Sequence, residues 1–188
     1  VDQVEYARTR GMDVIICDHH EPSEILPDAF AVLDPLIPGC GYPFKFLCGC
    51  GVGFKLIQGI SSRLGNPDAA FRYLDFATLA TTADIVPLIG ENRVITRLGL
   101  QQVNAAPRPG IKALLRSSGV EPGKITTGQI VFVLAPRINA VGRMGDATRA
   151  VDLLTCTAAA AADAMSQILE EENRNRRLNR KACHPIRN

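Results

Sequence analysis

Gly11-Met12-Asp13-Val14-Ile15-Ile16-Cys17-Asp18-His19-His20 is the stretch whose reading decides the fold. Asp13 to Cys17 is a short apolar run rich in β-branched residues, the pattern of a strand buried in a parallel sheet. Ahead of it, Asp2 to Arg10 has a helical pattern that Gly11 stops. Ligand and catalytic groups of α/β proteins gather at the carboxyl ends of parallel strands. Asp18, His19 and His20 fall at such an end, and imidazole with carboxylate suits Mn, Zn or Fe. A strand-end turn whose polar residues only cap a loop reads equally well from these three residues alone.

Downstream, Pro22, Pro27, Pro35 and Pro38 punctuate the chain, and Ala29 to Leu33 forms a second apolar strand between them. Helix, strand, turn, strand at this spacing predicts an α/β sheet. The glycine-rich run from Gly39 to Gly53 is not a phosphate loop, because Lys55 is followed by Leu56 where Ser or Thr is required. Nor is it a dinucleotide fingerprint, whose third glycine falls on Phe54. It reads as a tight loop packed onto a helix from Val52 to Leu64. Further helices are expected over Pro67 to Asp84, Glu91 to Asn104 and Gly110 to Ser118.

Asp84 lies between small and apolar neighbours and is expected to be partly enclosed. An enclosed carboxylate needs a cation or hydrogen-bond donors; a helix cap is the plainer reading. Ala135 to Met144 is expected to be a Pro- and Gly-flanked loop. Its Arg137, Asn139 and Arg143 could grip an anion, since Arg recognises phosphate oxygens in bidentate fashion, or they could be solvated surface residues. Ala147 to about Cys183 reads as one long helix. Its apolar side runs to Leu169 and gives way to polar residues from Glu170, so the helix is expected to leave the body of its domain. His184 reads as plain surface.

The 188 residues suffice for one sizeable core, and 46% hydrophobic with 21% charged residues is a globular composition. A net charge of +2 does not by itself announce a nucleic-acid binder. The six cysteines include no C-x-x-C pair, which argues for reduced core residues in a cytoplasmic protein. No apolar run is long enough to span a bilayer.

Taken in order, Val14 to Pro22, Leu26-Pro27-Asp28-Ala29, Tyr42-Pro43-Phe44-Lys45, Gly51-Val52-Gly53-Phe54-Lys55-Leu56, Ala83-Asp84-Ile85-Val86-Pro87-Leu88, Glu91-Asn92-Arg93 and Ala135 to Arg143 resemble the DHH phosphoesterase superfamily. The triplet Asp18-His19-His20 belongs to the superfamily at large. The Gly-Val-Gly-Phe-Lys and Pro-Arg-Ile-Asn-Ala-Val-Gly-Arg blocks point to its branch of single-strand-specific 5′ to 3′ exonucleases. The likeness runs to about Arg180.

The resemblance implies an α/β, parallel-sheet DHH-type domain, and a phosphodiesterase that uses two Mn²⁺ ions, with Mg²⁺ possible in their place. His19 and Asp84 would be metal ligands, and His20 would face the scissile phosphate. Asp18 would orient the cluster or assist ligation. Asn139 and Arg143, with Arg137 a weaker candidate, would hold the nucleotide backbone or terminal phosphate. Single-stranded DNA is the implied substrate in repair and recombination, with single-strand-binding protein and a helicase as possible partners. Residues 1–146 would be the C-terminal portion of the phosphoesterase domain, 147–183 a long connecting helix toward a second domain, and 184–188 a tail.

The sequence departs from the family in one respect. The family's Asp-x-Asp motif and a further Asp precede the triplet, and Asp2 and Asp13 stand in the wrong contexts to replace them. The domain is therefore expected to be incomplete at its N-terminus, and this chain alone to bind Mn²⁺ weakly without turnover. Two other readings are carried: a DHH phosphoesterase of short oligonucleotides, cyclic dinucleotides or pyrophosphate, and a scaffold of the same fold without catalysis.

Overall fold

Strand β1 (Ile15–Cys17) and strand β2 (Ala31–Leu33) pair in parallel, with Ile15 opposite Ala31 and Cys17 opposite Leu33. The ladder runs on past Cys17, where the Asp18 amide donates to the Leu33 carbonyl at 3.0 Å. The triplet thus starts at a carboxyl edge that is still tied to the sheet. Helix α1 (Asp2–Thr9) precedes the sheet, and the turn after it closes at Gly11, whose φ of 72° a residue with a Cβ rarely adopts. The computed structural model describes residues 2–105, 108–144 and 147–183, with residues 141–144 and 177–183 as backbone alone.

Helix α2 (Gly49–Arg63) begins three residues before the expected Val52 because Cys48 caps it. Cys48 is extended, and its Sγ accepts from the Gly51 amide at 3.3 Å. The sulfur fills the role that a Ser or Asp oxygen usually takes. The helix expected from Pro67 is two pieces, a 3-10 segment over Pro67–Tyr73 and helix α3 (Leu74–Ala83). In the first piece the three-residue repeat turns both Ala70 and Tyr73 toward the core.

Helix α4 (Gly90–Ala105) follows. Leu47, Val52, Phe54, Ala70, Leu74, Ala77 and Ile95 form one apolar cluster, so α2, α3 and α4 share a core. Gly99 lets α4 approach α3 closely. A Cβ there would stand 1.9 Å from Thr78 Oγ1 and 2.3 Å from the Leu74 carbonyl oxygen. Asn92 is fully buried and its amide donates to the carbonyls of Phe46, at 2.6 Å, and Pro87, at 3.0 Å.

The chain divides into two compact units, Val1–Gly99 and Leu100–Asn188; the boundary expected near residue 146 falls inside the second. The second unit holds α5 (Pro109–Ser117), α6 (Thr127–Gln129), a π turn over Ile130–Leu134, α7 (Ala135–Met144), α8 (Thr148–Thr155) and α9 (Ala159–Cys183). Residues 135–144 are therefore helix and not the expected loop. Pro136 lacks an amide hydrogen, and the π turn just before it absorbs the missing bond.

The single long helix expected from Ala147 is interrupted at residues 156–158. Thr155, Cys156 and Thr157 are weak helix formers, and the Cys156 backbone is extended. Helix α9 also keeps its buried stripe past Leu169. Ala162, Ser166, Leu169 and Asn173 are all buried, so the polar stretch is packed at least to Asn173. Glu172 pairs with Arg149 at 2.6 Å and Glu170 with Arg137. His184 lies outside the described residues. Among them, no helix is long and apolar enough to cross a membrane.

Gly110 has the same role in the second unit, where a Cβ would stand 1.8 Å from the Leu153 carbonyl oxygen. Gly99→Ala and Gly110→Ala should each lower unfolding stability by about 2–3 kcal/mol through forced overpacking. Urea denaturation of each variant measures this.

Candidate metal centre

Asp18, His19 and His20 leave β1 as a tight polar turn. One oxygen of Asp18, Oδ1, accepts from the His19 amide at 2.7 Å, the His20 amide at 3.2 Å and the His20 ring Nδ1 at 2.7 Å. These bonds stabilise the ionised carboxylate, so the Asp18 pKa is lowered, chiefly by the bond to His20. The same bond, then the Asp18 charge, raises the His20 pKa, with smaller contributions from Asp84 and Asp34. With Nδ1 held by Asp18, the exposed His20 ring keeps Nε2 for an outside partner.

The two imidazoles are tilted against each other with centroids 4.4 Å apart, yet they face different groups. His19 is the more enclosed, and its Nε2 lies 3.3 Å from Asp84 Oδ2. The first turn of α2 backs this ring, for a Cβ on Gly49 would be 3.6 Å from His19 Cδ2. Asp84 closes α3, donating its amide to the Ala80 carbonyl at 2.9 Å. Its side chain is 41% exposed, so the expected enclosure is not found and the carboxylate faces an accessible site.

The donor chemistry fits a divalent ion. Imidazole nitrogen and carboxylate oxygen at 3.3 Å match neighbouring ligands of one ion, which at bond lengths near 2.1 Å lie roughly 3 Å apart. Among the described residues no three His, Cys, Asp or Glu groups converge as a metal cluster, so His19 and Asp84 are a two-donor arm.

Asp34 is a neighbour that the sequence reading passed over. It directly follows β2, is 7% exposed, and its Oδ1 accepts from the Leu36 amide at 2.9 Å. The rule that singled out Asp18 would have found it, since Asp34 also ends a parallel strand. Tyr42 and Lys55, from two of the sequence blocks quoted above, are structural. Tyr42 Oη donates to Glu91 at 2.8 Å and Lys55 Nζ pairs with Glu91 at 2.9 Å.

The three residues expected to grip phosphate all lie on α7, in the second unit. Arg137 is buried; it ion-pairs with Glu170 and donates to the Val133 carbonyl at 2.7 Å. Asn139 is exposed on the same helix. The side chain of Arg143 lies outside the described residues.

Residues 1–81 match the DHH family, N-terminal domain. Nearly the whole chain is similar to RecJ proteins. It is 43% identical over 176 residues to the single-stranded-DNA-specific exonuclease RecJ of Bacillus subtilis, covering 94% of this chain and 22% of that protein. Against RecJ of Escherichia coli the identity is 37% over 186 residues, covering 93% and 32%. A crystal structure of exonuclease RecJ bound to manganese superposes with a TM-score of 0.84 at 33% identity, covering 97% of this chain and 46% of that one. The Mg²⁺ complex of RecJ from Thermus thermophilus gives 0.77 at 34% identity, covering 92% and 26%. The chain thus spans less than half the length of each of these relatives.

Two measurements probe these contacts. Asp18→Asn removes the group that most raises the His20 pKa, so that pKa should fall, as NMR titration would record. The Asp18–His20 pair stabilises the fold while both partners are charged. That contribution goes as pH falls through the lowered Asp18 pKa, and again as pH rises through the raised His20 pKa. Arg137→Ala leaves Glu170 without its partner in a largely buried pair and should destabilise by about 3 kcal/mol in thermal or urea melts.

Proposed function

We propose that this chain is part of a metal-dependent exonuclease that hydrolyses phosphodiester bonds of single-stranded DNA from the 5′ end. The carrying observation is the approach of His19 Nε2 to within 3.3 Å of Asp84 Oδ2. Two residues remote in sequence are held together in an open site by β1 and α3, with donor chemistry for a divalent cation. Similarity to RecJ exonucleases over more than nine-tenths of the chain supports DNA over cyclic dinucleotides or pyrophosphate as substrate. It also supports catalysis over a purely structural role.

His19 and Asp84 would hold the ion, Mn²⁺ in preference and Mg²⁺ as a substitute, as one arm of a two-ion centre in the whole protein. A divalent ion there neutralises charge on the phosphoryl oxygens and acidifies the attacking water. His20, whose protonated form the bond to Asp18 favours, donates from Nε2 to a phosphoryl oxygen and so stabilises charge that grows in the transition state. Asp18 positions that ring and acts through it. Asn139 and Arg143 contact the nucleotide backbone. Arg137 supports them by anchoring α7 to Glu170. Residues 1–146 are assigned to the C-terminal portion of the phosphoesterase domain and 147–183 to the helical connector, here in two segments. Single-strand-binding protein and a helicase are the partners expected in repair and recombination.

His19→Ala and Asp84→Asn, each made in the whole protein that carries this segment, should weaken Mn²⁺ binding in calorimetry. They should also lower kcat on 5′-phosphorylated single-stranded DNA by about 10²-fold or more. Full activity in either variant removes the pair from the reaction and with it this reading.

A further inference from the structure

Ile85 follows Asp84 directly, and three features of it are not explained by packing. Its φ is 60°, and among the described residues no other residue but glycine has a positive φ. It occupies the position just past the end of α3, where glycine commonly takes the left-handed conformation. A β-branched side chain there is strained. The residue is 81% exposed, more than any other large hydrophobic residue described, so burial does not offset the strain. Leu88 and Ile89, in the same segment, are 39% and 54% exposed, and Phe46 is 48% exposed. Asn92 bonds to the carbonyls of both Phe46 and Pro87, which fixes the two segments to each other.

We propose that Ile85 is a substrate-contacting residue, the apolar support for the sugar or base of the nucleotide whose phosphate reacts at His19 and Asp84. The inference rests on the nuclease reading given above and names a contact within it. The Cα of Ile85 is about 3.8 Å from that of Asp84, so a phosphate beside Asp84 brings its nucleoside within reach of the isoleucine. Every base offers an apolar face, and contact with that face is tolerant of sequence. An aliphatic support of this kind suits an enzyme that must advance along any single strand. It also supplies a base contact in a chain that has no Trp. Backbone strain persists where surrounding structure enforces it, and it gathers at ligand clamps. Here the strain turns an apolar side chain outward beside the two ligating groups.

The test compares Ile85→Gly, Ile85→Asn and Ile85→Leu in the whole protein. Gly and Asn tolerate the left-handed conformation, so both variants should fold with melting temperatures at or above that of the wild type. Binding of fluorescein-labelled oligothymidylate, read by anisotropy, should weaken about tenfold in both, and KM on the same strand should rise about as much, by the loss of one base contact. The effect should fall on KM far more than on kcat, and Ile85→Leu should restore binding. Unchanged binding and KM in Gly and Asn, beside a wild type that degrades the strand, would overturn the contact and leave the nuclease reading intact. A fall in kcat alone would overturn it too, because Ile85 would then act by holding Asp84. A wild type that cleaves no DNA with Mn²⁺ would instead overturn the nuclease reading itself.

Discussion

The close seating of α3 against the start of α2 is the constraint on which the candidate centre depends. Cys48 is its pivot. The buried sulfur caps α2 through the Gly51 amide and also lies 3.5 Å from Thr81 Oγ1 on α3. Thr81 is one helical turn before Asp84, so this contact sets how far along the site α3 reaches. On the other side the first turn of α2 backs the His19 ring, where a Cβ on Gly49 would stand 3.6 Å from Cδ2. The approach of His19 to Asp84 is therefore a by-product of apolar packing. Leu47, Val52, Leu74 and Ala77 bury the helices against one another, and two polar groups are left facing at the edge of that core.

Within the triplet, adjacent histidines acquire different chemistry because the strand alternates and the turn is tight. His19 turns inward and presents Nε2 to Asp84. His20 turns outward and shares its Nδ1 proton with Asp18, which favours the cation. Asp18 is occupied three times over by donors of its own turn. That makes it an organiser of the turn, and it leaves little lone-pair capacity on Oδ1 for an ion. The buried Asp34 adds negative field beside His20 without an exposed charge of its own.

The second unit shows how a motif legible as a string can mislead as a shape. Pro136 and Gly142 look like loop punctuation, yet 135–144 is helix. A preceding π turn accommodates the proline, and the Val133 carbonyl finds a donor in Arg137. The same fold pairs Arg137 with Glu170, which lies far along the sequence. Nothing local to Arg137 announces that pairing. Likewise the polar end of α9 looked like a helix leaving its domain. Ion pairs to Arg137 and Arg149, and the buried Asn173, keep it within the second unit.

The sequence by itself determined the parallel pair of strands, the triplet at their carboxyl edge and the likeness to RecJ proteins. These features rest on local patterns of alternation, β-branching and fixed spacing, which need no partner to be read. Tertiary structure alone decided which groups meet. It paired His19 with Asp84, and Arg137 with Glu170. It left Asp84 open, and it turned Ile85 outward in a strained conformation. Each of those outcomes follows from how helices pack, and helix packing is set by side chains distributed over the whole unit, not by the residues that it brings together.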